Sequence, residues 1–240
     1  MNVQNEVVVS RDDIRLIDLS KFKVEKQSGK TVLAAKSSTT VIQVDWLAQA
    51  AETYRVSADP RDYVIAEMPL VTADVPNRNL DCFPLVELTR FCHKLGRPVY
   101  ASFIGKPTFQ DHNNRDPGAA KGVNFDAVLR HEPVRFGYKG WKVRVLSGYD
   151  RTKDRALANE ILSGRRRGFS MGADVSLLEC SVCNSGPVDK DGLGCMCIGG
   201  RKGSVVGGVL KYNRCFGVNF IENSSVGVPA DNDAHMNEWW

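Results

Sequence analysis

The sequence predicts an α+β chain: an antiparallel-rich β-barrel or sheet with helices packed outside it. Short strand-like runs recur along the chain, and three segments of helical apolar periodicity fall between them. Strand and helix do not alternate regularly, which argues against a parallel doubly wound sheet. The 240 residues, 42% hydrophobic and 25% charged, can bury a sizeable core. We read residues 1–240 as one domain with a Cys/Gly-rich insertion at about residues 179–204.

Val7–Val9 and Val32–Ala34 read as short strands, with Ser28-Gly29-Lys30 as a turn. Asp45 to Val56 is expected to be a helix, with Asp45 as cap and Trp46, Leu47, Ala50 and Tyr54 near one face. Tyr63 to Val71 reads as a strand, and Pro69 argues for an edge or a strand end. Val75 to Asn79 is turn-rich. Phe83 to Leu95 predicts a second helix with Leu85, Leu88, Phe91, Cys92 and Leu95 as its stripe. Pro98 to Ile104, Val123 to Leu129 and Lys142 to Leu146 are strand-like. Thr152 to Leu162 predicts the third helix, capped by Thr152 and ended by Gly164. Val205 to Tyr212 and Phe216 to Val228 close the strand series.

Composition removes several function classes. A net charge of +4 is too small to imply nucleic acid as a partner. No apolar run approaches the roughly 20 residues that span a bilayer, and residues 1–13 lack the pattern of a signal peptide. A cytoplasmic setting is expected, in which seven cysteines read as thiols or metal ligands. Gly29-Lys30-Thr31 imitates the end of a phosphate-binding loop, but Val24 stands where that motif needs glycine.

The chemistry centres on Gly168-Phe169-Ser170-Met171-Gly172. Glycine on either side lets another backbone or a ligand approach the serine closely. The same pattern is common on strand edges with no chemistry at all. A serine needs a base to become a nucleophile, and imidazole held in one tautomer by a carboxylate supplies one. His112, in a polar loop after a strand, is the best base. Asp111 is adjacent to it, and side chains of neighbouring residues on an extended chain point apart. Glu222 lies in a strand-like run and on periodicity alone faces solvent. His93 and His131 read as ordinary surface or core histidines.

Three motifs in order carry a resemblance. Lys106-Pro107 through Asp111-His112-Asn113, then Gly168 to Gly172, then Glu222-Asn223-Ser224-Ser225-Val226 with Pro229-Ala230-Asp231 resemble the prohead maturation proteases of tailed bacteriophages. The turn Pro76 to Asn79 fits as well, and the likeness spans residues 64–234. The resemblance implies a serine endopeptidase with the fold of the herpesvirus assemblins, a β-barrel surrounded by helices. It implies Ser170 as nucleophile, His112 as general base and Glu222 as third member, with Asp174 and Asp150 as substitutes to test. The implied substrates are the scaffold or core proteins and the major capsid protein, and often the protease itself. The implied location is the assembling prohead in the host cytoplasm, with self-association, no membrane and no cofactor for catalysis. The alternative is an inactive structural component of the prohead with the same fold.

The insertion carries Cys180-x-x-Cys183 and Cys195-x-Cys197. Two such pairs on glycine-rich turns can set four thiolates around one structural zinc, at about 2.3 Å each. Free thiols, or a disulfide formed in the mature particle, are the other readings. Four cysteines leave no open position for a catalytic zinc. Arg165-Arg166-Arg167 reads as a solvated basic loop, or as a contact for an acidic substrate segment or DNA. A zinc-knuckle module that binds nucleic acid through these arginines and cysteines is a third function class, which steep salt dependence would reveal.

Overall fold

The structure is a computed structural model. It describes residues 46–134, 138–197 and 200–234, and the strand backbone of four earlier segments. The strand read at Val7–Val9, the turn residues Ser28 and Gly29, the Asp45 cap and the tail from residue 235 lie outside the described residues.

The elements run β1 (Arg15–Asp18), β2 (Phe22–Gln27), β3 (Lys30–Ala35), β4 (Val41–Gln43), α1 (Leu47–Tyr54), β5 (Tyr63–Thr72) and β6 (Asp81–Cys82). Then come α2 (Leu85–Thr89), β7 (Phe91–Cys92), β8 (Arg97–Pro98), β9 (Pro107–Gln110), β10 (Gly122–Pro133) and β11 (Lys139–Asp150). The chain continues through α3 (Arg155–Leu162), β12 (Gly168–Asp174), β13 (Leu177–Cys180), β14 (Val205–Val206), β15 (Val209–Leu210), β16 (Asn213–Phe216) and β17 (Asn219–Val226). Seven strands form the main sheet in the order β1-β5-β11-β10-β9-β17-β12. All its pairs are antiparallel except β17 with β9.

The helix-ringed barrel that the sequence predicts is not what forms. Strand makes up 40% of the chain and helix only 17%, and the sheets do not close. The physical reason lies at the two rims of the main sheet. On its outer side β5 pairs with β1 only over Val64–Glu67. Farther along, the backbone N–H of Thr72 donates instead to Asp231 Oδ2 at 2.6 Å. On β12, the Phe169 N–H donates to the Ala234 carbonyl at 3.3 Å. The segment from Ala230 to Ala234 thus takes up rim groups that closure would have paired.

The main core gathers Met68, Leu70, Phe103, Val143, Val145, Leu157, Ile161, Phe169 and Phe220. Phe103 and Phe220 stack at 4.1 Å. A second cluster sets Leu47 and Ala50 of α1 against Tyr63, Ile65 and Phe125. Several local expectations shift. Pro69 sits in an interior strand, tolerated at a register irregularity opposite Val143 and Arg144 and past the reach of β1. The second helix stops at Thr89 because Arg90 turns to an extended conformation (ψ 129), and β7 and β8 then pair as a short hairpin. Val99–Phe103 is a 3₁₀ turn instead of a strand. Asp154, not Thr152, caps α3, accepting from the Leu157 N–H at 3.0 Å. The predicted strand over 205–212 is the small hairpin of β14 and β15.

Candidate active site and metal centre

β12 and β17 pair so that Ser170 faces Ser224 and Gly172 faces Glu222. Directly paired residues share a face, and so do residues two apart. Ser170, Ser224 and Glu222 therefore line one side of the ribbon. The flanking glycines follow from this packing. A Cβ at Gly172 would stand 2.6 Å from Glu222 Oε1, and one at Gly168 would stand 2.5 Å from the Val226 carbonyl oxygen.

His112 arrives from β9. That strand runs parallel to β17 with Gln110 opposite Ser225, and the Asp111 N–H extends the pairing to the Ser225 carbonyl at 2.9 Å. Asp111 and His112 then both take left-handed backbone angles, φ 51 and 55. Aspartate and histidine are among the non-glycine residues that adopt such angles most readily. This turn brings His112 Nδ1 to 2.8 Å from Glu222 Oε1. The other carboxylate oxygen accepts from Ser224 Oγ at 2.7 Å. Glu222 is 1% exposed, so the solvent-facing expectation from periodicity is wrong. The imidazole side chain remains 43% exposed.

A carboxylate on Nδ1 fixes that nitrogen as the N–H donor and leaves Nε2 with its lone pair. The hydrogen bond to Glu222 raises the His112 pKa above its ordinary value, burial opposes the rise, and the charges of Glu222 and Asp111 add to it. Ser170 is 5% exposed. No hydrogen bond joins its hydroxyl to His112 among the described residues; the hydroxyl on the carboxylate belongs to Ser224. Ser224 gave no sequence signal beyond lying two residues from Glu222. The substitutes for the third member are elsewhere: Asp174 is exposed at the end of β12, and Asp150 accepts from Ser57, Thr152 and Lys153. Beneath β17, Asn223 Nδ2 donates to Ser147 Oγ, and Ser147 donates to Asn124 Oδ1 at 2.9 Å, tying β17 to β10 and β11.

In the arginine run Arg165 and Arg167 are exposed, as a solvated loop would have them, and Arg166 is half-buried. Arg166 Nη2 donates to Asp111 Oδ2 at 3.2 Å, and Arg167 Nε donates to the Gly164 carbonyl. His93 lies edge-on to Phe91, and His131 lies against Trp141.

The four insertion cysteines converge. The sulfurs of Cys180, Cys183, Cys195 and Cys197 all lie within 4.8 Å of one another and could hold a metal ion. Ligands about 2.3 Å from a tetrahedral ion sit about 3.8 Å apart, which this spacing suits. The pairs Cys180–Cys197 and Cys195–Cys197 stand at 3.5 and 3.0 Å, well beyond the roughly 2.05 Å of a disulfide. Hydrogen bonds from Ser185 bring the Cys183 thiol down to about 6, and Cys197 is pushed up to about 12 by its sulfur neighbours, Cys195 first. The buried ammonium of Lys211 lies 3.1 Å from Cys195 Sγ and donates to the Gly200 carbonyl at 2.6 Å. A cation there offsets the charge that several thiolates would gather. Sequence reasoning passed over Lys211, since a lysine in a glycine-rich stretch carries no mark of burial.

No protein-family model, curated protein or solved structure matches the chain.

Proposed function

We propose that the chain is a serine endopeptidase acting through Ser170, His112 and Glu222. The observation that carries this is the buried Glu222 carboxylate on His112 Nδ1, held on the strand that pairs with the strand of Ser170. It supports a base with a fixed tautomer and a free Nε2. In the reaction, Nε2 takes the proton of Ser170 Oγ as that oxygen bonds to the scissile carbonyl carbon. The carbon–nitrogen bond then breaks, and the proton passes from Nε2 to the leaving amine. Water, activated by the same imidazole, releases the acyl group from Ser170. Hydrogen bonds of this kind are often formed only with substrate in place.

The substrate class comes from the resemblance to the phage prohead proteases: scaffold or core proteins and the major capsid protein, cleaved inside an assembling head by an enzyme that self-associates. A barrel is not needed for this reading, since function belongs to the site. A structural zinc at Cys180, Cys183, Cys195 and Cys197 would bind the glycine-rich turns together; such an ion stabilises and takes no part in the chemistry. The test is co-expression with capsid and scaffold proteins, wild type beside Ser170→Ala, read by intact mass. Truncated products only with wild type are expected. Identical masses in both would move the chain to the structural alternative.

A further inference from the structure

We infer that Arg166 is a positioning residue for the His112–Glu222 pair: it clamps the turn that carries the imidazole and cancels the charge of Asp111 beside it. The catalytic meaning rests on the protease reading above; the charge arrangement does not.

The clamp is visible in three contacts. Arg166 Nη2 reaches Asp111 Oδ2 at 3.2 Å, and its Nε reaches Ser225 Oγ at 3.4 Å. The Asp111 N–H bonds to the carbonyl of the same Ser225 at 2.9 Å. The guanidinium, on the approach to β12, therefore links the Asp111–His112 turn to β17, the strand that carries Glu222. Two consecutive left-handed residues reverse the chain sharply, and contacts from outside the turn help to hold that reversal. Arg166 supplies one such contact, because its forked donors can bind two groups at once. Neither neighbour does this. Arg165 is exposed, and among the described residues Arg167 bonds only to the Gly164 carbonyl.

Two carboxylates act on the imidazole, Glu222 from β17 and Asp111 from the turn. Arg166, from the approach to β12, reaches Asp111 and not the ring; the hydroxyls of Ser224 and Ser225 are neutral. A general base must be unprotonated at its working pH. Two carboxylates beside one imidazole would hold it protonated over a wider range, and both raise its pKa. Glu222 is indispensable to the tautomer. Asp111 is not, and a cation on Asp111 limits its influence.

The experiment follows the His112 ring by NMR titration, with its signal assigned by loss in His112→Asn, and measures the labelling rate of Ser170 by a fluorophosphonate. In Arg166→Met the titration midpoint should move up. In Asp111→Asn it should move down, and Arg166→Lys, which keeps the charge, should stay near wild type. At a pH above all these midpoints, Arg166→Met should still label about tenfold more slowly, because the turn is looser. A midpoint in Arg166→Met that stays or falls overturns the charge role, and an unchanged high-pH rate overturns the clamp. If Arg166→Met fails to fold, Asp111→Asn decides, since an unmoved midpoint there also overturns the charge role. Absence of Ser170 labelling in the wild type sinks the protease reading and with it the catalytic meaning of the clamp; the titration still decides the charge role.

Discussion

On the protease reading, the two glycines around Ser170 separate stability from chemistry, and alanine at each makes the separation measurable. At Gly172 a Cβ would stand 2.6 Å from Glu222 Oε1, 3.0 Å from its Cγ and 3.2 Å from its Cδ. A carbon–oxygen contact settles at about 3.3 Å, so the carboxylate must retreat by roughly 0.7 Å. It cannot do so and keep both His112 Nδ1 at 2.8 Å and Ser224 Oγ at 2.7 Å. A misplacement of this size costs about 10²-fold in rate, and complete loss of the orienting carboxylate about 10⁴-fold. Gly172→Ala should therefore label with a fluorophosphonate about 10²- to 10⁴-fold more slowly. Its stability loss should stay near the lower end of about 1–3 kcal/mol, because a side chain can move. At Gly168 the obstacle is backbone: a Cβ would meet the Val226 carbonyl oxygen at 2.5 Å and Pro229 Cδ at 3.3 Å. The strands must part, so Gly168→Ala should sit at or above the upper end of that range. Each kcal/mol is worth about 2–4 °C in Tm for a domain of this size. Labelling rates and urea melts on both variants test the pair. A folded Gly172→Ala that labels at the wild-type rate, or a Gly168→Ala that loses more rate than Gly172→Ala, would refute the reasoning.

Glu222→Gln removes the main cause of the raised His112 pKa, so the acid limb of the labelling rate should move to lower pH while the plateau falls by up to about 10⁴-fold. The folded pKa of His112 lies above the unfolded value of about 6.5. Its pairing therefore stabilises the fold fully below about pH 6.5 and fades as pH rises through the folded value, which unfolding of wild type beside His112→Gln across that window reads directly. Ser224→Ala leaves a buried carboxylate oxygen without its donor and should cost about 1–3 kcal/mol in urea melts, with a smaller rate loss than Glu222→Gln. Metal analysis should find about one zinc per chain, lost in a Cys195→Ser, Cys197→Ser double variant and bound more weakly in Lys211→Met; well under one zinc in the wild type would remove the metal.

Residues close in sequence were easier to read than contacts made across the chain. The apolar face of α1 was legible, because local period decides which side of a helix is buried. β10 and β11 were legible as strands, although both of their faces are covered over much of their length. Closure of the sheet was not, since it depends on whether two distant rims meet, and a few residues near Ala230 settle that with one carboxylate. Phe83 to Leu95 had a helical stripe, but nothing local revealed that the chain would leave the helix at Arg90. In the candidate site, Ser170 stood out by its flanking glycines, His112 by its polar loop and the cysteines by their spacing. Glu222 looked solvent-facing because alternation gives a side chain's parity on a strand and not which face is covered. Ser224 escaped because Glu222, its partner, was read as facing solvent. Lys211 escaped, and Arg166 was noticed without its partner Asp111, because each contacts a residue brought to it by the fold.

The Ala230–Ala234 segment also bears on how copies of the chain behave in a crowded solution. An unpaired strand rim is a template on which another chain can add a strand. Here the Thr72 and Phe169 amides at two such rims are occupied from within the same molecule, and Arg78 anchors the occupant through its N–H to the Ala230 carbonyl at 2.8 Å. A protease cut between Val226 and Asp231 would leave the strands of the sheet intact and the occupant held by noncovalent contacts alone, and its departure would free both rims. The damaged molecule would not unfold so much as become adhesive.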